Sequence, residues 1–114
     1  MIDFACKKFS LDEIIKCSLG LTKSDLRILE FLMKNREKIN SNGISEKLDL
    51  ELSTVQRSLK RLNEKNMLLR HQINLSNGGY VYYYTINDKK VIRKIILDII
   101  QNWTKKVEME LEKI

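Results

Sequence analysis

The sequence has 114 residues, enough for one domain with a modest core, and it carries a formal net charge of +6. Its 43% hydrophobic and 32% charged residues are typical of a soluble globular protein. No apolar run approaches the length of about 18 residues that a transmembrane helix needs, and the start of the chain lacks the apolar core of a signal peptide. We therefore expect a cytoplasmic protein without a membrane partner.

The residue types that carry metal or nucleophilic chemistry are scarce. Cys6 and Cys17 are the only cysteines and His71 is the only histidine, whereas a structural zinc site needs about four ligands. We expect reduced thiols packed as small hydrophobic groups, with a redox role left open. No glycine-rich phosphate loop or nucleophile–base arrangement is present. The sequence thus predicts no metal, no cofactor and no enzyme activity.

The first part of the chain reads as two helices. Ser10 is a good N-cap, and Gly20 supplies the left-handed residue that ends a first helix near Leu19. A second helix opens at Thr22 and fades near Asn35. It keeps apolar residues at helical spacing, namely Leu26, Leu29, Leu32 and Met33.

Two further helices follow a polar connection at residues 36–40. We expect Ser41 to cap a short third helix that ends near Leu48. A turn at 49–51 leads into a fourth helix from about Leu52 to Lys65. Asn66 stands where a left-handed residue ends such a helix.

The fourth helix has two contrasting faces. Val55, Leu59 and Leu62 form one apolar stripe. The opposite face is polar and basic and holds Ser53, Thr54, Gln56, Arg57, Lys60, Arg61 and Glu64. A helix in a DNA major groove needs this order, with groups that read bases first and cations further on. Residues 53–72 carry a net charge of +4, so most of the excess positive charge is localised there. A merely solvated surface helix is the alternative.

The chain then changes to strand-like sequence. Met67–Leu75 and Tyr80–Ile86 flank Ser76-Asn77-Gly78-Gly79, which is a strong hairpin signal. The tyrosines of the second strand either stack on unpaired bases or simply pack on the helices.

A last helix is predicted from a cap at Asn87 to Ile114, roughly 40 Å long at 1.5 Å per residue. Its broad apolar stripe includes Ile92, Ile95, Ile96, Ile99, Trp103 and Val107. Such a stripe on a projecting terminal helix indicates a partner helix, and we predict a homodimer. The alternative is that the helix folds back over Phe4, Phe9 and Leu11.

These elements predict a mainly α protein with a small β-hairpin (α+β), namely a winged helix-turn-helix with a long C-terminal dimerisation helix. Residues 1–86, with an N-terminal helix at about 10–19, would be the DNA-binding domain, and residues 87–114 the dimerisation helix. The segment Ile44–Arg70 resembles the archaeal and bacterial winged-helix regulators of the MarR and TrmB type. The likeness covers roughly residues 22–86.

The resemblance implies roles for individual residues. The positions where the family reads bases hold Ser53, Thr54, Gln56 and Arg57, and those where it holds phosphates are Lys60 and Arg61. The wing tip, with Ser76 and Asn77, would approach the minor groove, and Arg70 could contact the backbone. Two departures are Glu51 at the cap of the recognition helix and the absence of a cation at 75–79.

The leading hypothesis is a homodimeric regulator of transcription that binds specific double-stranded DNA. An interaction module of a transcription assembly and a binder of single-stranded nucleic acid or RNA are the alternatives. A small-molecule effector, the operator and the sign of regulation stay open.

Overall fold

The computed structural model describes all 114 residues, which form five helices and two antiparallel hairpins. The predicted α+β winged-helix class is confirmed. The N-terminal hairpin was not predicted, because its strands have three residues each and lack a buried face. In chain order the elements are β1 (Ile2–Phe4), β2 (Lys7–Phe9), α1 (Leu11–Leu19), α2 (Lys23–Lys34), α3 (Ser41–Leu48), α4 (Leu52–Glu64), β3 (Leu68–Asn74), β4 (Tyr80–Ile86) and α5 (Lys89–Leu111).

Residues 22–87 form one compact unit with its own buried core. In this unit α2 and α3 pack on α4, β3 packs on α4, and β4 packs on α2. The apolar positions of each helix recur every three or four residues, so each helix turns one face inward. The side chains that are at most 1% exposed are Ile28, Leu29, Leu32, Ile44, Val55, Leu59, Leu62 and Met67.

The wing sheet of this unit is larger than predicted. β3 and β4 pair from Leu68 opposite Ile86 to Asn74 opposite Tyr80. Ile39 also pairs with Tyr84 through two backbone hydrogen bonds of 3.2 and 2.8 Å. The stretch predicted as a plain polar connection therefore adds a third strand-like segment to the outer edge of β4.

Two predicted helix caps were wrong by one residue. Asn40, and not Ser41, caps α3, because its side chain accepts a hydrogen bond from the backbone N–H of Gly43 at 2.8 Å. Asp88 caps α5. The amide of Asn87 instead donates to the carbonyl of Asn66, which has the predicted left-handed conformation with φ of 61°.

Residues 1–21 and 88–114 form the other compact unit, in which α1 packs against α5. Ser10 caps α1 and Gly20 ends it in the left-handed conformation, as predicted. α5 ends at Leu111, so it has 23 residues rather than the predicted 27 or so. None of the helices in this chain combines the length and the hydropathy needed to cross a membrane.

Both cysteines lie in this second unit and are free and exposed. The prediction that they pack as small hydrophobic groups was therefore wrong. Cys6 lies in the turn between β1 and β2, and Cys17 lies on the exposed side of α1.

Candidate nucleic-acid interface

The two predicted faces of α4 are present in the structure. Val55, Leu59 and Leu62 are fully or almost fully buried, and Ser58 is buried beside them. The opposite side carries one continuous exposed stripe, which we call the α4 stripe and which consists of Ser53, Gln56, Arg57, Lys60 and Glu64. Thr54, half-buried, lies at its margin. The buried face fixes the helix in the core and leaves hydroxyl, amide and cationic groups directed to solvent.

The N-terminal end of α4 follows a tight turn. Asp49 ends α3 in the left-handed conformation, with φ of 52°, and this lets the chain reverse within three residues. Glu51 occupies the N-cap of α4 but makes no side-chain capping hydrogen bond. The first amides of α4 therefore have no side-chain acceptor, which is unlike the capped starts of α1 and α2.

Arg61 has a partner that the sequence did not predict. Its guanidinium donates to both carboxylate oxygens of Asp25, with Nη2 to Oδ1 at 2.8 Å and Nε to Oδ2 at 3.0 Å. Asp25 is fully buried, whereas the Arg61 side chain is 38% exposed. The pair joins the first turn of α2 to the last turn of α4. Arg61 therefore has a structural partner within the protein, and its expected contact with phosphate stays a prediction.

Asp25 is held as a carboxylate by its neighbours. Burial by itself raises the pKa of Asp25, but hydrogen bonds with Arg61, Ser58 and Thr22 outweigh burial and lower that pKa from its ordinary value of 3.8. Thr22 and Asp25 also form a reciprocal capping box at the start of α2. The hydrogen bonds with Asp25 in turn raise the pKa of Arg61. Both charges therefore persist at neutral pH.

The tip of the wing carries the predicted polar residues and no cation. Ser76 and Asn77 are exposed there. Gly78 and Gly79 follow with φ of 88° and 81°, and a backbone hydrogen bond of 3.0 Å from Leu75 to Gly79 closes the loop. Residues other than glycine rarely adopt these backbone angles, so this turn requires glycine at both positions.

Arg70 is the cation of the wing, and it lies against tyrosines. Its guanidinium carbon is 4.3 Å from the centre of the Tyr82 ring. Burial raises the pKa of the neighbouring Tyr84, an effect that the charge of Arg70 partly offsets. His71 points to the other face of the sheet, where its Nε2 lies 3.0 Å from the hydroxyl of Thr85. Arg70 is exposed and available to an anionic ligand while it stacks on Tyr82.

The apolar stripe of α5 is covered at one end only. Ile92 is buried, Ile95, Ile96, Ile99 and Val107 are half-buried, and Trp103 is 59% exposed. Near the C-terminal end of the helix the surface forms an open depression of about 370 Å³, lined chiefly by Trp103, Val107, Leu111 and Ile114.

Sequence reasoning missed Asp25 and the Ile39 bridge. The pattern of the sequence does not single out Asp25, because a buried acid cannot be recognised without the arginine that faces it. No cluster of three or more potential metal ligands occurs in the structure.

Comparisons with known proteins agree with this fold. Residues 9–107 match the family described as the DnaD N-terminal domain. A possible transcriptional regulator from Methanosarcina mazei Go1 is 46% identical, with a TM-score of 0.92 over 99% of this chain and 95% of that chain. Transcription factor E of Ignicoccus hospitalis is 26% identical over 108 residues, which are 93% of this chain and 61% of that protein.

A more distant likeness concerns the fold alone. A mutant of MepR from S. aureus, bound to an oligodeoxyribonucleotide, is 13% identical, with a TM-score of 0.57 over 90% of this chain and 72% of that chain.

Proposed function

The chain belongs to the family of the DnaD N-terminal domain, and we propose that it is a winged-helix regulator of transcription that binds specific double-stranded DNA as a homodimer. The observation that carries this proposal is the α4 stripe. Its exposed amide and guanidinium groups are of the kind with which a recognition helix reads the edges of bases.

We assign different tasks to the residues of the stripe and to Thr54 at its margin. Gln56 can pair with adenine and Arg57 with guanine, while Ser53 and Thr54 contact the start of the site. Lys60, one turn further on, binds phosphate and adds affinity for any sequence. Arg61 is left out of the DNA-binding set, because its guanidinium holds Asp25.

The wing contributes less charge than α4. Arg70 contacts the DNA backbone, and the tip at Ser76 and Asn77 approaches the minor groove by shape. We propose that this arrangement is of the MarR and TrmB type. The possible transcriptional regulator from Methanosarcina mazei, which is similar over almost the whole chain, supports a role in the regulation of transcription.

The homodimer forms through α5. The exposed part of its stripe, with Trp103 and the depression beside it, is the surface that a second copy covers. Two-fold symmetry then presents two copies of α4 to successive major grooves, roughly 34–36 Å apart. Light scattering of the full chain at micromolar concentration measures the association state, and a monomer would contradict this part of the proposal.

The central experiment selects binding sites from a random duplex library and compares three variants on the selected and on a random duplex. Arg57→Ala should lose preference for the selected site, by about 1–3 kcal/mol of discrimination. Lys60→Ala should weaken binding to both duplexes alike. It should also reduce the slope of the logarithm of the binding constant against the logarithm of the salt concentration by about 1. Lys113→Ala, just beyond the C-terminal end of α5, is the matched control and should change binding to neither duplex. An equal loss on both duplexes for Arg57→Ala would refute the assignment.

A second candidate is an interaction module in a transcription assembly, which the similarity to Transcription factor E supports. On this hypothesis α4 contacts protein. The library selection separates the two hypotheses, because an interaction module would enrich no sequence even at low salt.

A further inference from the structure

The first two turns of α5 carry a second concentration of positive charge, in addition to that of the α4 stripe. Lys89, Lys90 and Arg93 are all exposed, and we call these three residues the α5 basic patch. They fall within five residues of a regular helix, so their side chains leave the same end of α5. Sequence reasoning had placed the excess charge at residues 53–72 and overlooked this group.

The placement of these charges works against the stability of the helix. The N-terminal end of a helix carries partial positive charge and favours acidic side chains. α1 follows that rule with Asp12 and Glu13 in its first turn, whereas α5 has no acidic residue there. Only the cap, Asp88, offsets the dipole, by accepting from the N–H of Lys90 at 2.7 Å. Cations kept at an unfavourable site indicate a use other than folding.

The patch is also not neutralised within the protein. On the next turn Lys94 pairs with Asp98 at 3.1 Å. The cations of the patch take part in none of the ion pairs of the structure.

A partner helix on the apolar stripe of α5 would leave the patch accessible. At about 100° per residue, Lys90 and Arg93 lie roughly 100° or more around the helix from Ile92, the buried residue of the stripe. Lys89 lies only about 60° from Ile92, so Lys90 and Arg93 are the charges that stay open to a ligand whether or not the chain is a dimer.

We propose that the α5 basic patch binds the sugar–phosphate backbone of duplex DNA, as a second and sequence-independent contact in addition to the α4 stripe. Lysine is depleted and aromatic residues are enriched at protein–protein interfaces, and this patch has two lysines and no aromatic residue. Phosphate backbones are bound by clustered lysine and arginine. The choice of DNA as the polyanion rests on the proposed function.

The test measures the salt dependence of binding to a random-sequence duplex. The variant Lys89→Gln/Lys90→Gln/Arg93→Gln is compared with Lys8→Gln/Lys105→Gln/Lys113→Gln, which removes the same formal charge from exposed positions elsewhere. The patch variant should show a slope smaller by about 2–3 for each bound protomer, since each phosphate contact contributes about 0.9. The control variant should keep a slope close to that of the wild type. Equal slopes in the two variants would overturn the proposal.

Thermal unfolding separates a lost contact from a lost fold. Removal of cations from this end of α5 should leave the midpoint unchanged or raise it. If the triple variant unfolds early, Lys90→Gln and Arg93→Gln alone should each reduce the slope by about 1, and no reduction in either would overturn the proposal.

The failure of this proposal can be told from failure of the proposed function. Discrimination between a selected and a random duplex depends on Arg57, whereas the slope on random duplex depends on the patch. If the patch variant loses salt slope while the wild type does not discriminate between the selected and the random duplex, the patch is supported and the sequence-specific regulator is refuted. Binding to phosphatidylserine vesicles that is lost in the patch variant, with an unchanged DNA slope, would assign the patch to a membrane surface and overturn the proposal.

Discussion

Apolar stripes at helical spacing are buried in one compact unit of the chain and partly exposed in the other. Residues 22–87 close their apolar stripes inside one core, where Ile28, Leu32 and Leu62 have no exposed surface. In the unit formed by residues 1–21 and 88–114, large apolar side chains stay open, among them Phe4 at 63% and Trp103 at 59% exposure. Helical periodicity thus predicts that a face must be covered, but it does not say whether the cover comes from the same chain.

The difference also separates two kinds of stability. A core that is closed within the chain stabilises the protein at any concentration. An apolar stripe that needs a second copy contributes only when that copy is bound, so its contribution follows mass action.

The largest expected effect comes from truncating one large side chain in each unit. Leu62→Ala should lower the free energy of unfolding by about 2–5 kcal/mol at every protein concentration, because it leaves a cavity in a closed core. Trp103→Ala should barely change unfolding of the monomer, yet raise the dimer dissociation constant by roughly 30-fold or more if it anchors the interface. Denaturant titration at two concentrations, with sedimentation, measures both. A loss of unfolding free energy in Trp103→Ala that does not depend on protein concentration would contradict this difference between the units.

A smaller loss is expected from the Asp25–Arg61 pair. Arg61→Ala leaves the buried carboxylate without its partner and should cost about 2–3 kcal/mol, less than a fully buried pair because Arg61 is 38% exposed. The matched control is Lys60→Ala, the exposed neighbour, which should leave the unfolding midpoint unchanged. If Arg61 is structural, its loss should lower stability without changing the salt slope of DNA binding in the folded protein. A slope reduced by about 1 would return Arg61 to the phosphate-binding set.

Acidification should destabilise the protein less than Arg61→Ala does. A proton neutralises Asp25, whereas the substitution leaves its charge without a partner. The pKa of Asp25 is lowered in the folded state, so its stabilising contribution is complete above the ordinary value of 3.8 and is lost as the pH falls below it. Asp25→Asn removes this titration and serves as the reference. The stability difference between the two proteins should shrink on acidification through that range, and a constant difference would contradict the lowered pKa.

The smallest expected effect concerns the tip of the wing, which lacks the charge that α4 carries. Asn77→Lys should increase the salt slope of duplex binding by about 1 and leave discrimination among sites unchanged. Gln72→Lys, on β3 and away from the tip, is the positional control. An equal increase from both variants would show that any added charge on the wing acts in the same way, and that the tip has no special approach to DNA.

The sequence by itself determined the helices, the wing and the two contrasting faces of α4. Each depends on local rules: apolar spacing at Val55, Leu59 and Leu62, a left-handed residue at Asn66, and glycines at the hairpin. These features need no knowledge of distant residues, because steric limits and periodicity act within a few positions. The predicted N-caps of α3 and α5 were wrong by one residue, since two neighbouring polar residues, such as Asn40 and Ser41, can each serve as a cap.

Only the tertiary structure decided which charges of the chain are free. Arg61 and Lys60 are adjacent and equally basic in the sequence, yet one is committed to a buried acid 36 positions away and the other is open to solvent. The backbone pairing of Ile39 with Tyr84 was likewise decided by the tertiary structure, because the two residues are far apart in the chain. Pairing of this kind depends on which side chains the packed core brings together. A periodic pattern contains no information about contacts between residues that are far apart in the chain.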